Sequence, residues 1–227
     1  MQKKSDKESI HLSVRKLVES VLDTGGGQSI NRVRAAQGRD AHRAVQASQG
    51  NGYRAEVPIS GEVVLDRQLV IISGRMDGIL EEDGMWVVDE IKLTLPGEGV
   101  NENKERERPE HWAQIMVYCW LWAMDQDLDM VVGRLTRATP EGVIIGREDR
   151  EFTREETVDF SLGLVARFLE ELKAGERWRL LRDASISAMP FPFARPRKGQ
   201  MELAMEVQAM CRQGGKLLAE APTGLGK

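Results

Sequence analysis

One short segment, "VVDEIKLT" at residues 87–94, restricts the fold more than any other part of the sequence. Its apolar and β-branched residues predict a buried strand, yet two acidic residues and a lysine interrupt it. Side chains alternate between the faces of a strand, so Glu90 and Lys92 share one face while Asp89 and Ile91 share the other. Because an unpaired buried charge costs several kcal/mol, these groups need polar partners, a metal or a cleft. An edge strand with one solvated face is the alternative interpretation.

The predicted secondary structure around this segment is mixed. Helices are predicted over residues 8–23, about 31–48, from Pro109 through the apolar run that follows it, and 154–174. Strands are predicted over residues 53–60, 68–82 and 85–94, and in a hairpin that turns at 140–142. The order α-α-β-β-β-α-β-β-α predicts an α/β fold, with a central mixed β-sheet flanked by helices.

Composition excludes several classes of protein. The chain has 227 residues, 41% of them hydrophobic and 30% charged. It contains neither an apolar run of the roughly 20 residues that span a membrane nor a signal-peptide core. We therefore expect one sizeable domain, or one domain plus a fragment, located in the cytoplasm and without a membrane partner. The net charge of −4 excludes a uniformly basic nucleic-acid binder but leaves room for a local basic groove.

The cysteine count excludes two kinds of metal centre. Only Cys119 and Cys211 are present, which is too few for a four-cysteine zinc site or a four-cysteine iron–sulfur cluster within this chain. Both lie in segments with helical character, so we expect free, buried thiols.

Another acidic residue, Asp77 in "SGRMDGI", lies in the predicted strand that precedes Glu90. Two consecutive strands of a hairpin can place the carboxylates of Asp77 and Glu90 side by side at one end of the sheet. Two like charges at close range repel each other, so a hard divalent cation with oxygen ligands is their natural partner. Lys92 beside such a cation can hold or deprotonate a bound water. The pattern therefore predicts a metal site.

These residues resemble motifs of the PD-(D/E)XK nuclease superfamily, and within it of the RecB-like nucleases, over roughly residues 30–150. The first acidic motif of the family, a glycine followed shortly by aspartate, matches "GRMD" with Asp77. The second, D/E-x-K after two apolar β residues, matches "VVDEIK" with Glu90 and Lys92.

Two helical motifs of the RecB-like nucleases are also matched. Gln114 and Tyr118 in "AQIMVY" correspond to the Gln-x-x-x-Tyr motif, and their separation of four places both on one helical face. Gly38 and His42 in "GRDAH" correspond to an upstream Gly-x-x-x-His motif whose histidine is a metal ligand. Each motif alone is weak, whereas the four in the family's order make a specific match.

The resemblance implies a restriction-endonuclease-like core and a metal-dependent DNA nuclease that uses Mg2+ or Mn2+. The implied metal ligands are His42, Asp77, Glu90 and the carbonyl of Ile91. The implied catalytic residues are Asp77, Glu90 and Lys92, of which Lys92 would activate water. Gln114 and Tyr118 would position the DNA strand or the lysine. Arg39 and Arg43 on the His42 helix suit phosphate contacts, although a solvated helical face explains them equally well.

The C-terminal segment resembles the start of a different enzyme. "FARPRKGQ", with Arg197 and Gln200, resembles the adenine-sensing segment of XPD/DinG-like superfamily 2 helicases. "APTGLGK", with Gly224, Gly226 and Lys227, resembles the phosphate-binding loop that follows it, after a predicted strand "KLLAEA". The match stops before the Ser or Thr that binds magnesium, so ATP is expected only in a longer parent protein.

We therefore predict a nuclease domain over residues 1–183, and a linker with the start of a helicase domain over 184–227. The predicted function is the nuclease module of a nuclease-helicase in DNA repair, recombination or defence. Its partners would be the helicase domain and DNA that is single-stranded or has a free end. The alternative is a non-catalytic DNA-end or single-strand binding module that loads a helicase.

Overall fold

The computed structural model describes residues 9–22, 32–94, 109–190, 195–197 and 199–220. The strands are β1 (Ile10–Ser13), β2 (Arg54–Leu65), β3 (Gln68–Glu82), β4 (Met85–Leu93), β5 (Met130–Ala138) and β6 (Ile144–Thr153). The helices are α1 (Val14–Leu22), α2 (Arg32–Ser48), α3 (Pro109–Asp125), α4 (Arg154–Ala188) and α5 (Gln200–Gln213).

The strands form one six-stranded mixed sheet in the order β1-β3-β4-β5-β6, with β2 paired to β3. The pairs β1–β3 and β4–β5 are parallel, and the other pairs are antiparallel. Asp83 and Gly84 both have positive φ in the turn between β3 and β4, which is the conformation that Asp-Gly favours in a tight hairpin. Since β4 pairs with β3 as far as Asp89 and with β5 from Val87 to Leu93, and since Glu90 is buried, the interpretation of residues 87–94 as an edge strand with one solvated face is wrong.

A fork where β4 separates from β3 is the feature of the sheet that matters most for function. Strands β1 and β4 both lie along the edge of β3 that faces away from β2, with β1 paired to Val70–Ser73 and β4 paired to Gly78–Glu82. The backbone pairing of β3 with β4 ends at Gly78 and Asp89. Beyond this point β4 continues in register with β5 alone, and Asp77 lies in the gap.

Helices cover both faces of the sheet, which confirms the predicted α/β class with a central mixed sheet flanked by helices. On one face α3 packs so closely that Gly133 lies beneath Ile115 and Cys119. On the other face Val45 of α2 packs against Ile91 and Ala138. Helices α1 and α4 complete the main core on the α3 side.

The N-terminal helix predicted over residues 8–23 is partly wrong. Ile10–Ser13 forms a strand, and α1 begins only at Val14. The strand pairs in parallel with Val70–Ser73, a contact between segments far apart in the chain. The spacing of apolar residues in a short segment is compatible with either a helix or a strand. Here the pairing with β3 determines that the segment is a strand.

The C-terminal part also differs from prediction. The helix predicted to end at 174 continues as α4 to Ala188, because Ala, Arg and Leu favour helix and the next proline is Pro190. Helix α5 then covers Gln200–Gln213. Residues 216–220 form no strand, since an isolated strand leaves its backbone groups unpaired.

The chain divides into two compact units, Met1–Ala174 and Gly175–Lys227. No described residue of the second unit is buried. The domain boundary predicted at residue 183 stays a prediction.

Cys119 is buried as expected, whereas Cys211 is exposed. In the part of the chain that the structure describes, no helix has the length and apolar character that crossing a membrane requires.

Candidate active site

A cleft of about 330 Å³ lies at the fork between β3 and β4. Its lining includes five of the residues predicted from the sequence: His42, Asp77, Glu90, Lys92 and Gln114. They come from α2, β3, β4 and α3, so the fold brings together residues that are up to 72 positions apart (114 minus 42).

Asp77 is held by contacts from two directions. Its Oδ2 accepts a hydrogen bond from the backbone N–H of Ile91 at 2.8 Å, which replaces the strand pairing that ends one residue away. Its Oδ1 lies 3.3 Å from Nδ1 of His42. The backbone carbonyl of Asp77 accepts a hydrogen bond from Nε2 of Gln46 at 2.8 Å. His42 and Gln46 lie one turn apart on α2, so this helix is attached to β3 at the aspartate itself.

Glu90, which is buried, and Lys92, which is half-buried, form an ion pair in the lining of the cleft. Only 3% of the Glu90 side chain is exposed, and its Oε1 accepts a hydrogen bond from Nζ of Lys92 at 2.5 Å. Burial raises the pKa of Glu90 to about 7, and the charge of Asp77 adds to this rise while Lys92 opposes it. Burial alone would lower the pKa of Lys92, but the Glu90 carboxylate outweighs it and raises that pKa. Lys92 is therefore an ammonium at neutral pH.

His42 is half-buried at the side of the cleft. Burial disfavours its protonated form, yet the hydrogen bond and charge of Asp77 outweigh burial and raise its pKa above the ordinary value. Glu90 contributes to this rise, and Lys92 opposes it. The pKa of His42 therefore depends on Asp77 and Glu90, the two acidic residues that the resemblance implies as metal ligands.

The donor types in the cleft fit a divalent cation. Imidazole nitrogen, carboxylate oxygens and the predicted backbone carbonyl of Ile91 are ligands that such ions accept, and His42 and Asp77 already lie together. Within the described ranges, however, no three His, Cys, Asp or Glu side chains are gathered in a metal-binding arrangement. Glu90 instead faces Lys92. The chemistry of the donors therefore suits Mg2+ or Mn2+, while their arrangement does not surround a single point.

The two residues of the Gln-x-x-x-Tyr motif occupy different positions. Gln114 lines the cleft. Tyr118 is buried instead, and its hydroxyl donates a hydrogen bond to the backbone carbonyl of Arg75 at 3.1 Å. A Cβ at Gly74 would lie 2.7 Å from the Tyr118 ring, so the ring rests directly on the β3 backbone. Tyr118 thus attaches α3 to the part of β3 that leads to Asp77.

The predicted phosphate-contacting arginines lie outside the cleft lining. Arg39 and Arg43 are exposed on α2, and Nη1 of Arg43 lies 4.0 Å from Asp40. In the second unit the backbone N–H of Arg197 donates to Oε1 of Gln200 at 2.7 Å, at the start of α5. The other predicted nucleotide-binding residues, Gly224, Gly226 and Lys227, lie outside the described residues.

Sequence reasoning missed four charged or titratable residues that line the cleft: Arg15, Glu19, Glu110 and His111. On α1, Nε of Arg15 donates to Oε1 of Glu19 at 2.6 Å. His111 precedes Gln114 by three residues on α3, and this spacing on one helical face is the signal that could have identified it. For Arg15 no such signal existed, because the segment was not expected to approach β4.

No known family profile matches the sequence, and no curated protein matches it. Among solved structures, the chain is similar to a protein named SSO0001, with 21% identity, a TM-score of 0.47, and coverage of 70% of this chain and 77% of that one. It is also similar to a phage-related exonuclease from Haemophilus somnus 129PT, with 13% identity, a TM-score of 0.39, and coverage of 68% and 76%. Rai1 of Scheffersomyces stipitis is similar at 12% identity and a TM-score of 0.31, with coverage of 75% and 64%. At these scores the similarities carry no conclusion about activity, which depends on the residues of the cleft.

Proposed function

We propose that this protein is a metal-dependent deoxyribonuclease of the PD-(D/E)XK type, RecB-like, that hydrolyses phosphodiester bonds. The observation that supports this most is the meeting of His42, Asp77, Glu90 and Lys92 in one cleft. Four elements supply these residues and the adjacent Gln114, in the order that the resemblance implies. Burying an acidic residue beside a lysine costs desolvation free energy. Titratable groups with shifted pKa values in a cleft are typical of functional sites.

The types of donor in the cleft suit a hard divalent cation. His42, Asp77, Glu90 and the carbonyl of Ile91 would hold Mg2+ or Mn2+, and the ion would stabilise phosphate charge and lower the pKa of a bound water. Because the Glu90 carboxylate raises the pKa of Lys92, we assign Lys92 the role of a cationic hydrogen-bond donor. It would orient the attacking water or a phosphate oxygen. Gln114 at the cleft wall would position the substrate.

The burial of Glu90 bears on which form of DNA the protein would cleave. The cleft has a volume of about 330 Å³, and Glu90 in its lining is almost fully buried. A single strand or a free end can reach such a recess more easily than the interior of an intact duplex. Action beside a helicase, which the sequence of the C-terminal segment suggests, stays a prediction.

Removing the lysine amine tests the proposal. In Lys92→Met, single-turnover cleavage of end-labelled single- and double-stranded DNA should fall by about 10² to 10⁴ in rate, since a water-orienting group is lost. Calorimetric Mn2+ binding should remain in this variant, whereas Glu90→Gln should lose both binding and cleavage. Lys173→Met is the matched control, because Lys173 is an exposed residue paired with Asp66 on a different part of the unit.

Controls with EDTA separate metal-dependent cleavage from contamination. Cleavage that continues in EDTA, or that Lys92→Met leaves unchanged, would contradict the proposed site. If the wild-type protein binds DNA but never cuts with Mg2+ or Mn2+, the non-catalytic loading module becomes the better account.

A further inference from the structure

Asp89, the neighbour of Glu90, is a buried carboxylate that the proposed chemistry does not use. It is 1% exposed and is absent from the lining of the cleft. Its Oδ1 accepts a hydrogen bond from Oγ1 of Thr136 at 2.6 Å, and its Oδ2 accepts one from the hydroxyl of Tyr53 at 3.0 Å. Both carboxylate oxygens are therefore engaged on the face of β4 that lies opposite Glu90.

These contacts cross the sheet at the fork. Tyr53 immediately precedes β2, Asp89 belongs to β4, and Thr136 belongs to β5. To reach Asp89, the tyrosine passes over β3 at Gly78, where a Cβ would lie only 1.8 Å from the Tyr53 hydroxyl oxygen. A glycine at this position is what allows the contact. One carboxylate thus connects the start of β2 with two central strands, across a third.

The location of Asp89 gives these contacts a specific consequence. Asp89 is the last residue of β4 that pairs with β3, opposite Gly78. The next residues, Glu90 and Lys92, enter the cleft without backbone pairing to β3. Their position relative to Asp77 therefore depends on the pairing of β4 with β5, on the Ile91 N–H bond to Asp77, and on the contacts that hold β4 where it leaves β3.

We propose that Tyr53, Asp89 and Thr136 form a positioning network that holds β4 at the fork, so that Ile91 meets Asp77 while Glu90 and Lys92 point into the cleft. Buried polar networks of this kind specify one arrangement of a strand, which apolar packing alone leaves less defined. The proposal rests on the nuclease function proposed above, but its structural part concerns the Ile91–Asp77 hydrogen bond and can be measured without cleavage.

Two small substitutions test the network. In Tyr53→Phe and Thr136→Val, hydrogen exchange of the Ile91 amide, measured by NMR in the intact chain, should become faster relative to amides elsewhere in the sheet. The single-turnover cleavage rate should fall by about 10- to 100-fold, which is the usual effect of removing a residue that contacts and orients the groups of a site without touching the substrate. Thr136→Ser keeps the hydroxyl and should restore both values.

A matched threonine provides the control. Thr157 is also buried, and its Oγ1 donates to the Arg154 carbonyl at 2.8 Å within α4. Thr157→Val should change stability without changing Ile91 exchange or the cleavage rate. If Thr136→Val behaves like Thr157→Val, the network is only structural and the inference is wrong. If the wild type does not cleave DNA but Ile91 exchange still responds as expected, the positioning network stands and the nuclease proposal fails.

Discussion

Asp89 and Glu90 are adjacent carboxylates on β4, and both are almost fully buried. Burial raises the pKa of each, but their partners differ. Asp89 is enclosed by the hydroxyls of Thr136 and Tyr53, whereas Glu90 faces the ammonium of Lys92 in the lining of a cleft. The comparison teaches that burial alone does not identify a catalytic carboxylate. The type of partner and access to a cleft separate a residue that holds a strand from one that can meet a substrate.

The largest expected difference between the two carboxylates is in stability. Asp89→Ala leaves the Tyr53 and Thr136 hydroxyls without their acceptor, and each such group costs about 1–3 kcal/mol, so we expect a loss of about 2–6 kcal/mol. Glu90→Gln should cost less, because the amide oxygen can still accept the hydrogen bond from the partly exposed Lys92, and because the substitution removes a carboxylate whose charge burial disfavours. Urea denaturation in EDTA measures both. We call the face of β4 that carries Asp89 the closed face, and the face that carries Glu90 and borders the cleft the open face. Equal losses in the two variants would remove this distinction.

Two glycines sharpen the comparison on a smaller scale. Gly78→Ala should destabilise the protein by about 1–3 kcal/mol, since the new methyl group collides with Tyr53 on the closed face. Gly38, one turn before His42, has open space around its Cβ position, so Gly38→Ala within α2 should stabilise by about 0.5–1 kcal/mol. Gly146→Ala in β6, also in open space, controls for adding a methyl group to a strand. A stable Gly78→Ala variant would show that Tyr53 can leave Asp89 without cost.

A pH dependence of stability also distinguishes the face of β4 that carries Glu90. The folded-state pKa of Glu90 is about 7, above the ordinary 4.5, so the folded state binds this proton more tightly than the unfolded state does. Its stabilising contribution is complete below about pH 4.5 and is lost as pH rises through about 7. The raised pKa of His42 acts in the same direction.

Thermal or urea denaturation without divalent metal should therefore show stability that falls between about pH 4.5 and 7, with a smaller slope in Glu90→Gln. The difference between the two proteins isolates Glu90 from the other titrating groups. Identical slopes would contradict the assignment of a raised pKa to this residue.

Much of the candidate site was predictable from local patterns. A strand with charges at alternate positions predicted that Glu90 and Lys92 share a face, and the lysine lies 2.5 Å from the glutamate. The two consecutive predicted strands implied that β3 and β4 form a hairpin, which brings Asp77 near Glu90. Whether these residues bind a metal and cleave DNA stays a prediction.

The sequence by itself determined the types of most elements, the hairpins, and the face on which each strand residue lies, because these depend on neighbours within a few positions. Only the tertiary structure decided that Ile10–Ser13 is a strand, that Arg15 lines the cleft, and that β3 and β4 separate at Asp77. It alone gave Asp89 its partners, which lie 36 and 47 positions away in the chain. The physical reason is that a buried polar group must form hydrogen bonds, and its partners are residues that the fold brings close to it. Local sequence patterns contain no information about which distant residues these are.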